Sequence, residues 1–293
     1  MKFEIVKAEL LEQVPSASGI VKTGNSYYVA GDDSPYLFCY DHSFTESKKI
    51  RIFSVDKVEG DRITKKHKPD FEAMEKVNEH EIAIFGSGSK SPQRDFFIRV
   101  LLKEDGHEVK TNQISAFYEK LKELDVFRDS EFNIEAAAEY HGQFFLFNRK
   151  KNVVIKFKYE DFVAHIENDA PPPEVFVAEV TLPEINGLEA GFSGATAFPN
   201  MPFLIFTASV EDTDNAYDDG DVLGSFIGVL DMENYEIVGE MQRIPSPNEK
   251  GGEIKVESVA IDKIISEKEF ELVLTTDSDG GDSLIIRGKF SLE

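Results

Sequence analysis

The sequence predicts an all-β fold, a five-bladed β-propeller with four-stranded blades, on three observations. A strand, a turn, an apolar strand and a polar loop recur five times along the 293 residues. Aligning Ser18, Glu72, Glu135, Ala195 and Glu257 spaces the copies by 54, 63, 60 and 62 residues, and a near-constant period marks a repeat architecture. The last copy is one strand short, and the N-terminal residues have the pattern to supply it.

The second strands are residues 27–30, 82–85, 144–147, 203–206 and 272–274, apolar almost throughout. Such short apolar runs, bounded by turn residues, suit a strand buried on both faces, whereas a helix needs about ten residues or more. Third strands follow each polar loop at 36–40, 95–102, 153–158, 225–231 and 283–290. More polar, outer strands are expected at 48–53, 109–114, 175–182 and 235–244. Residues 1–11, MKFEIVKAELL, precede the first copy as 175–185 precede the fourth, and each leads into a Ser-Gly pair, Ser18-Gly19 and Ser193-Gly194. Ring closure is therefore expected, with the N-terminal strand completing the last blade, an arrangement that leaves only short protected sheet edges. Six blades would require an unrecognised copy inside the longer intervals. One domain, 1–293, is expected.

Two segments break the strand pattern. Residues 112–124 place Ile114, Phe117, Tyr118, Leu121 and Leu124 three and four apart, the spacing of one helical face. Residues 159–168 do the same with Phe162, Val163 and Ile166, and Pro171, Pro172 and Pro173 end that helix because proline lacks the donor a helix needs. Segments 56–68 and 246–252 read as loops.

Composition bounds the function. The hydrophobic fraction of 41%, with 24 Phe and 9 Tyr, suffices for a packed interior. Against 32 basic residues stand 55 acidic ones, a formal net charge of -23, which repels phosphate backbones, so no nucleic acid is expected as partner. A charge of this kind serves solubility, or else attracts a metal cation or a basic protein partner. No run approaches the roughly 18 apolar residues of a membrane span. The N-terminal stretch lacks the pattern of a secretory signal and Cys39 stands alone, so a cytoplasmic monomer is expected. Cys39, in a YLFCY strand, reads as a small core residue.

In a meandering blade, the loops after second strands share one rim with the connections that lead into the next blade. On that rim lie residues 31–34, 86–94, 148–152, 211–221 and 276–283, and there Glu72, Glu135 and Glu257 open three innermost strands and can face the channel. Three convergent glutamates repel one another unless a cation, protons or basic side chains neutralise them; Lys68, Lys255, Arg94 and Arg149 are at hand. Salt-bridged glutamates around a water-filled hole are the equal alternative to a metal or catalytic site. The acidic loops add Asp212, Asp214, Asp277 and Asp279, hard oxygen ligands of the type calcium takes in sets of six to eight. Neither loop fits the EF-hand template, and the six histidines show no pair at zinc-ligand spacing. GSGSK lacks the order of a phosphate loop, although its serines beside Arg94 could hold an anion. There is no nucleophile elbow.

Together GDDSPYL, DFEAM with GSGS and Arg94, NIEAAA, SVEDTDNAYDDGDVLGS, and KVESVAI with TDSDGGDS resemble an uncharacterised bacterial propeller family over nearly the whole chain. More distantly, in repeat style and in its glutamate and aspartate-loop pattern, the chain is similar to phytase-like and esterase-like propellers. The phytase-like resemblance implies a calcium-dependent phosphoesterase site on one propeller face, with Glu72, Glu135, Glu257, Asp212, Asp214, Asp277 and Asp279 as the positions that match in kind. That group's basic phosphate-gripping set has no counterpart here.

Two functions follow as expectations. In a metal-assisted hydrolase of a small ester or phosphoester, Glu72, Glu135, Glu257, Asp277 and Asp279 would hold a divalent cation such as calcium, and Arg94, Arg149 or Lys255 would neutralise developing negative charge. In a non-catalytic propeller, the acidic rim would take a small-molecule ligand or a basic protein.

Overall fold

The computed structural model describes all residues except 46, 213–219, 248–251, 278–281 and 293. The five copies are five four-stranded antiparallel sheets. From the channel outward, blade 1 is Ala17–Thr23, Ser26–Gly31, Tyr36–Tyr40 and Ser47–Arg51. Blade 2 is Phe71–Asn78, Glu81–Gly86, Phe96–Lys103 and Gly106–Gln113. Blade 3 is Ile134–Tyr140, Gln143–Asn148, Val153–Lys158 and Val175–Glu179. Blade 4 is Gly191–Ala197, Phe203–Asp212, Asp221–Asp231 and Gln242–Ile244. Blade 5 is Lys255–Ile264, Glu269–Asp277 and Asp282–Ser291, with the N-terminal strand Lys2–Pro15 outermost. Successive inner strands adjoin, and that of blade 5 adjoins that of blade 1, so the ring is closed.

Hydrophobic burial between blades holds the ring. Each of the five blade interfaces has its own apolar cluster, built from the faces that two neighbouring blades turn towards each other. Second strands are sandwiched on both sides, and every residue of Glu81–Gly86 is buried. Closure depends on Phe3, which packs into the cluster between blades 4 and 5. A Cβ at Gly288 would stand 2.2 Å from its ring, so only glycine fits beneath it. Phe3 also donates its N–H to Gln242 Oε1 and accepts from Gln242 Nε2, both at 2.7 Å, tying the closing strand to blade 4. Phe3→Leu should therefore cost about 1–2 kcal/mol of stability through loss of ring contact, measured as a lower urea midpoint with an unchanged slope.

Helix α1 (Ser115–Lys122) buries Phe117, Tyr118 and Leu121 between blades 2 and 3, and α2 (Tyr159–Asn168) buries Tyr159 and Phe162. Some sequence-based bounds need correction. Blade 4's outer strand is only Gln242–Ile244, because the chain before it crosses the sheet edge with a single bridge, Leu230 to Ile237. Segment 56–68 is not simply a loop: Val58–Glu59 and Arg62–Ile63 form a small hairpin turning at Gly60, which a positive φ of 64° requires. A second hairpin, Glu184–Ile185 with Leu188–Glu189, leads into blade 4. Cys39 is half-buried rather than part of the core.

The feature that positions the candidate site is a β-bulge at the start of every inner strand. Pairing passes from Ala17 to Gly19, Phe71 to Ala73, Ile134 to Ala136, Phe192 to Gly194 and Val256 to Ser258. One residue is left out each time: Ser18, Glu72, Glu135, Ser193 and Glu257. A bulge bends the strand and re-aims a side chain that regular alternation would send against a neighbouring blade. The structural repeat in blade 4 is thus Ser193, two residues before Ala195, and it matches Ser18 as the shared Ser-Gly pair indicates.

Candidate channel site

The bulges bring Glu72, Glu135 and Glu257 from blades 2, 3 and 5 into one charged cluster. The cluster has two halves. In the first, the Lys68 ammonium lies against Asp32 and, at 2.8 Å, against Asp70 Oδ1. Arg94 Nη1 donates to Asp70 Oδ2 at 2.5 Å and to Ser89 Oγ at 2.8 Å, and Ser87 Oγ donates to the same Asp70 oxygen at 2.6 Å. Beside them, ligand oxygens of Asp32, Asp70 and Glu72 lie within 4.8 Å of one another. The small hairpin adds Arg62, whose Nε donates to Asp33 Oδ2 at 2.7 Å.

In the second half, Arg149 Nη2 donates to Glu211 Oε2 at 2.7 Å and Nη1 stands 3.6 Å from Glu135 Oε2. Lys255 Nζ lies 2.8 Å from both Glu211 Oε1 and Glu257 Oε1. Arg149 fits only because Gly191 faces it: a Cβ there would be 2.4 Å from Arg149 Cγ. Asn133, two residues before its bulge, donates Nδ2 to Glu135 Oε1.

Burial of charge governs the electrostatics. Glu72 is raised well above the usual carboxylate range by burial and then by Asp70, Glu135 and Asp32. Asp32 is pushed up to about 7, because burial and the neighbouring acids outweigh Lys68. Glu257 rises to about 8 by burial, opposed by Lys255 and reinforced by Glu135, and burial raises Glu135 despite Arg149 and Lys255. Glu211 goes the other way, since Arg149 and Lys255 together overcome its burial. Burial works against charge on Lys68, Arg149 and Lys255, but the surrounding carboxylates win and hold all three protonated.

Two carboxylates stand out. Glu72 has no ion pair among the described residues, although three acids crowd it. Asp32 Oδ1 is buried without a hydrogen bond. Residues 13–289 match a family of unknown function, DUF6929. The chain belongs to that family.

No curated protein matches this DUF6929 member by sequence. Among solved structures it is similar to the glutaminyl cyclase of Myxococcus xanthus, at 8% identity and a TM-score of 0.56, over 99% of this chain and 97% of that one. It is also similar to a tail fiber of Staphylococcus aureus phage P68, at 14% identity and a TM-score of 0.46, over 98% of this chain and 53% of the other. At 8% identity the likeness to the cyclase speaks for the fold alone. Among the described residues, no helix is long and apolar enough to cross a membrane.

Of the residues singled out in sequence, Glu72, Glu135, Glu257, Lys255 and Arg94 meet in the cluster. Asp277 lies near Asp33 and Arg62 on its margin. Asp212 is exposed at the end of its strand, and the preceding residue, Glu211, is the one that turns inward. Asp214 and Asp279 lie outside the described residues. The serines of GSGSK and Arg94 do hold an anion, but it is the chain's own Asp70. Sequence reading missed Asp32, Asp70 and Glu211 as cluster members. Asp70 had a signal, since it precedes the bulge residue by two, as Lys255 precedes Glu257.

Proposed function

We propose that the cluster binds a divalent cation and that the protein is a metal-assisted hydrolase of small esters or phosphoesters. The observation that carries this reading is a charge deficit. Among the described residues, six carboxylates (Asp32, Asp70, Glu72, Glu135, Glu211 and Glu257) meet four cations (Lys68, Arg94, Arg149 and Lys255). One divalent cation, or two protons, makes up the difference. The donors fit a hard cation such as calcium: all are carboxylate oxygens, three of them close together, with no nitrogen or sulfur ligand among them. Asp32, Asp70 and Glu72 would hold it, with Lys68 giving way. When bound, such an ion lowers the pKa of its water and polarises the bond to be cleaved. Glu257, raised to about 8 by burial, would serve as general acid towards a leaving group when it holds one of those protons.

A second reading, a ligand- or protein-binding propeller without chemistry, draws on one observation. Arg94, Arg149 and Lys255 are all engaged by carboxylates and are not free to meet developing charge. Calorimetric titration with calcium and manganese decides about the ion. One ion should bind per chain, and Glu72→Gln and Asp32→Asn should each weaken it at least tenfold. Metal-stimulated hydrolysis of p-nitrophenyl acetate or bis-p-nitrophenyl phosphate, abolished in Glu72→Gln, supports the hydrolase. Metal binding without hydrolysis supports the binding propeller, and no binding of either ion overturns the cation site.

A further inference from the structure

The opposite end of the channel holds a different environment. There the inner strands finish, and their ends, with neighbouring turns, enclose a cavity of about 660 Å³, within the range of small-molecule sites, roughly 300 to 1,000 Å³. All five blades contribute to its wall, and Val77, Tyr140, Phe198 and Ile264 give it apolar surface. Four of its charged groups pair off. Lys22 is bound by Asp262 at 2.7 Å and Lys76 by Glu79 at 2.7 Å, so these four neutralise one another. Glu75 of blade 2 and Glu139 of blade 3 have no ion pair among the described residues, yet both line the cavity. Glu75 is 7% exposed; its Oε1 accepts the Lys76 N–H at 2.7 Å and the Thr196 hydroxyl lies beside it. Among the described residues Glu139 accepts the Gly142 N–H alone, at 2.6 Å. Lys263 and His141 are exposed at the lip.

We propose that this cavity is a binding site for a small molecule bearing a primary or secondary ammonium group, received between Glu75 and Glu139, with the apolar walls around its carbon skeleton. A buried carboxylate without a counter-ion costs free energy that a ligand cation can recover. An anionic ligand would meet two acids, with Lys22 and Lys76 already taken by Asp262 and Glu79 and Lys263 out at the exposed lip. A neutral one would supply no counter-charge to Glu139 and nothing to ionise Glu75. The inner strands of neighbouring blades 2 and 3 bring both glutamates to the wall of this cavity, which Tyr140 also lines. Electrostatics agree: burial, reinforced by Glu139, lifts Glu75 to about 8, and burial lifts Glu139. An arriving ammonium would ionise Glu75 and release its proton. The charged groups facing Glu75 are Lys76, on its own strand, and Glu139, from the next blade. This site is independent of the cation cluster at the other end.

The test uses phenethylamine and its uncharged analogue 2-phenylethanol, titrated calorimetrically into the full chain at pH 7 in phosphate and in HEPES. The amine should bind at least tenfold more tightly than the alcohol. The buffer dependence of the heat should report release of up to one proton, and Glu75→Gln should abolish that release and weaken amine binding at least tenfold. Glu139→Gln, at a half-buried position, should weaken it in the same direction. Equal affinity for the two probes, no heat with the amine, or unchanged amine binding in folded Glu139→Gln would overturn the proposal.

Discussion

Arg149→Met should destabilise the protein by about 3–5 kcal/mol at pH 7, the range for breaking a buried ion pair from one side. The methionine fills much of the volume under Gly191, so the loss is electrostatic and not a cavity effect. Arg149 is 8% exposed and stands between Glu135 and Glu211, both of which stay behind without it. Lys255 would then be alone against Glu211, Glu257 and Glu135. Urea denaturation measures the change. Two further observations separate this cause from general damage. The loss should shrink as pH falls, because Glu135, already raised by burial, takes up a proton more readily once Arg149 no longer opposes it. Glu211→Gln should restore part of the stability, giving a non-zero coupling energy in a double-mutant cycle. A loss below about 1 kcal/mol would mean that the pair is solvated like a surface salt bridge.

Much of this arrangement was legible in the sequence. Apolar second strands and a regular spacing are enforced by burial between blades, so they mark the chain five times over. Closure by the N-terminal strand left its mark in the match between residues 1–11 and 175–185. What stayed hidden depends on single-residue irregularities. Glu72, Glu135 and Glu257 announced themselves because a glutamate at the start of an apolar strand is conspicuous, but the bulge that aims them does not alter the surrounding pattern. In blade 4 the same position is Ser193, chemically quiet, and the alignment slid to Ala195. The acidic loop pointed to Asp212, whereas the choice between Asp212 and Glu211 is settled by strand register, where one residue exchanges outward for inward. The charges of Asp32 and Asp70 were visible, but their meeting with Lys68 requires blades 1 and 2 to be placed side by side. Likewise, nothing in the spacing of Glu75 and Glu139 distinguishes them from surface acids until the inner strands are assembled around the channel.

The same buried acids fix how stability depends on pH. Asp32 is raised to about 7, and Glu75 and Glu257 to about 8. In the unfolded chain these groups titrate near 4 to 4.5. Between those limits the folded protein therefore binds more protons than the unfolded one, so stability falls as pH rises, with each such group contributing about 1.4 kcal/mol per pH unit. The midpoint of thermal unfolding should accordingly be higher near pH 5.5 than near pH 8. Self-repulsion of a chain of net charge -23 acts in the same direction, so the wild-type profile alone does not isolate the buried groups. Glu75→Gln does, since it keeps the shape of a protonated glutamate and removes only the titration. At pH 4.5 the variant and the wild type should differ by under about 1 kcal/mol, because Glu75 is then neutral in the folded state and only about half ionised in the unfolded one. At pH 7 the variant should be more stable by on the order of 3 kcal/mol, as the wild type must take up a proton on folding and the variant need not. Chemical denaturation of both proteins across this range gives the difference directly. A difference that stays flat from pH 4.5 to 7 would show that Glu75 is hydrated in the channel and ionises as an ordinary surface carboxylate.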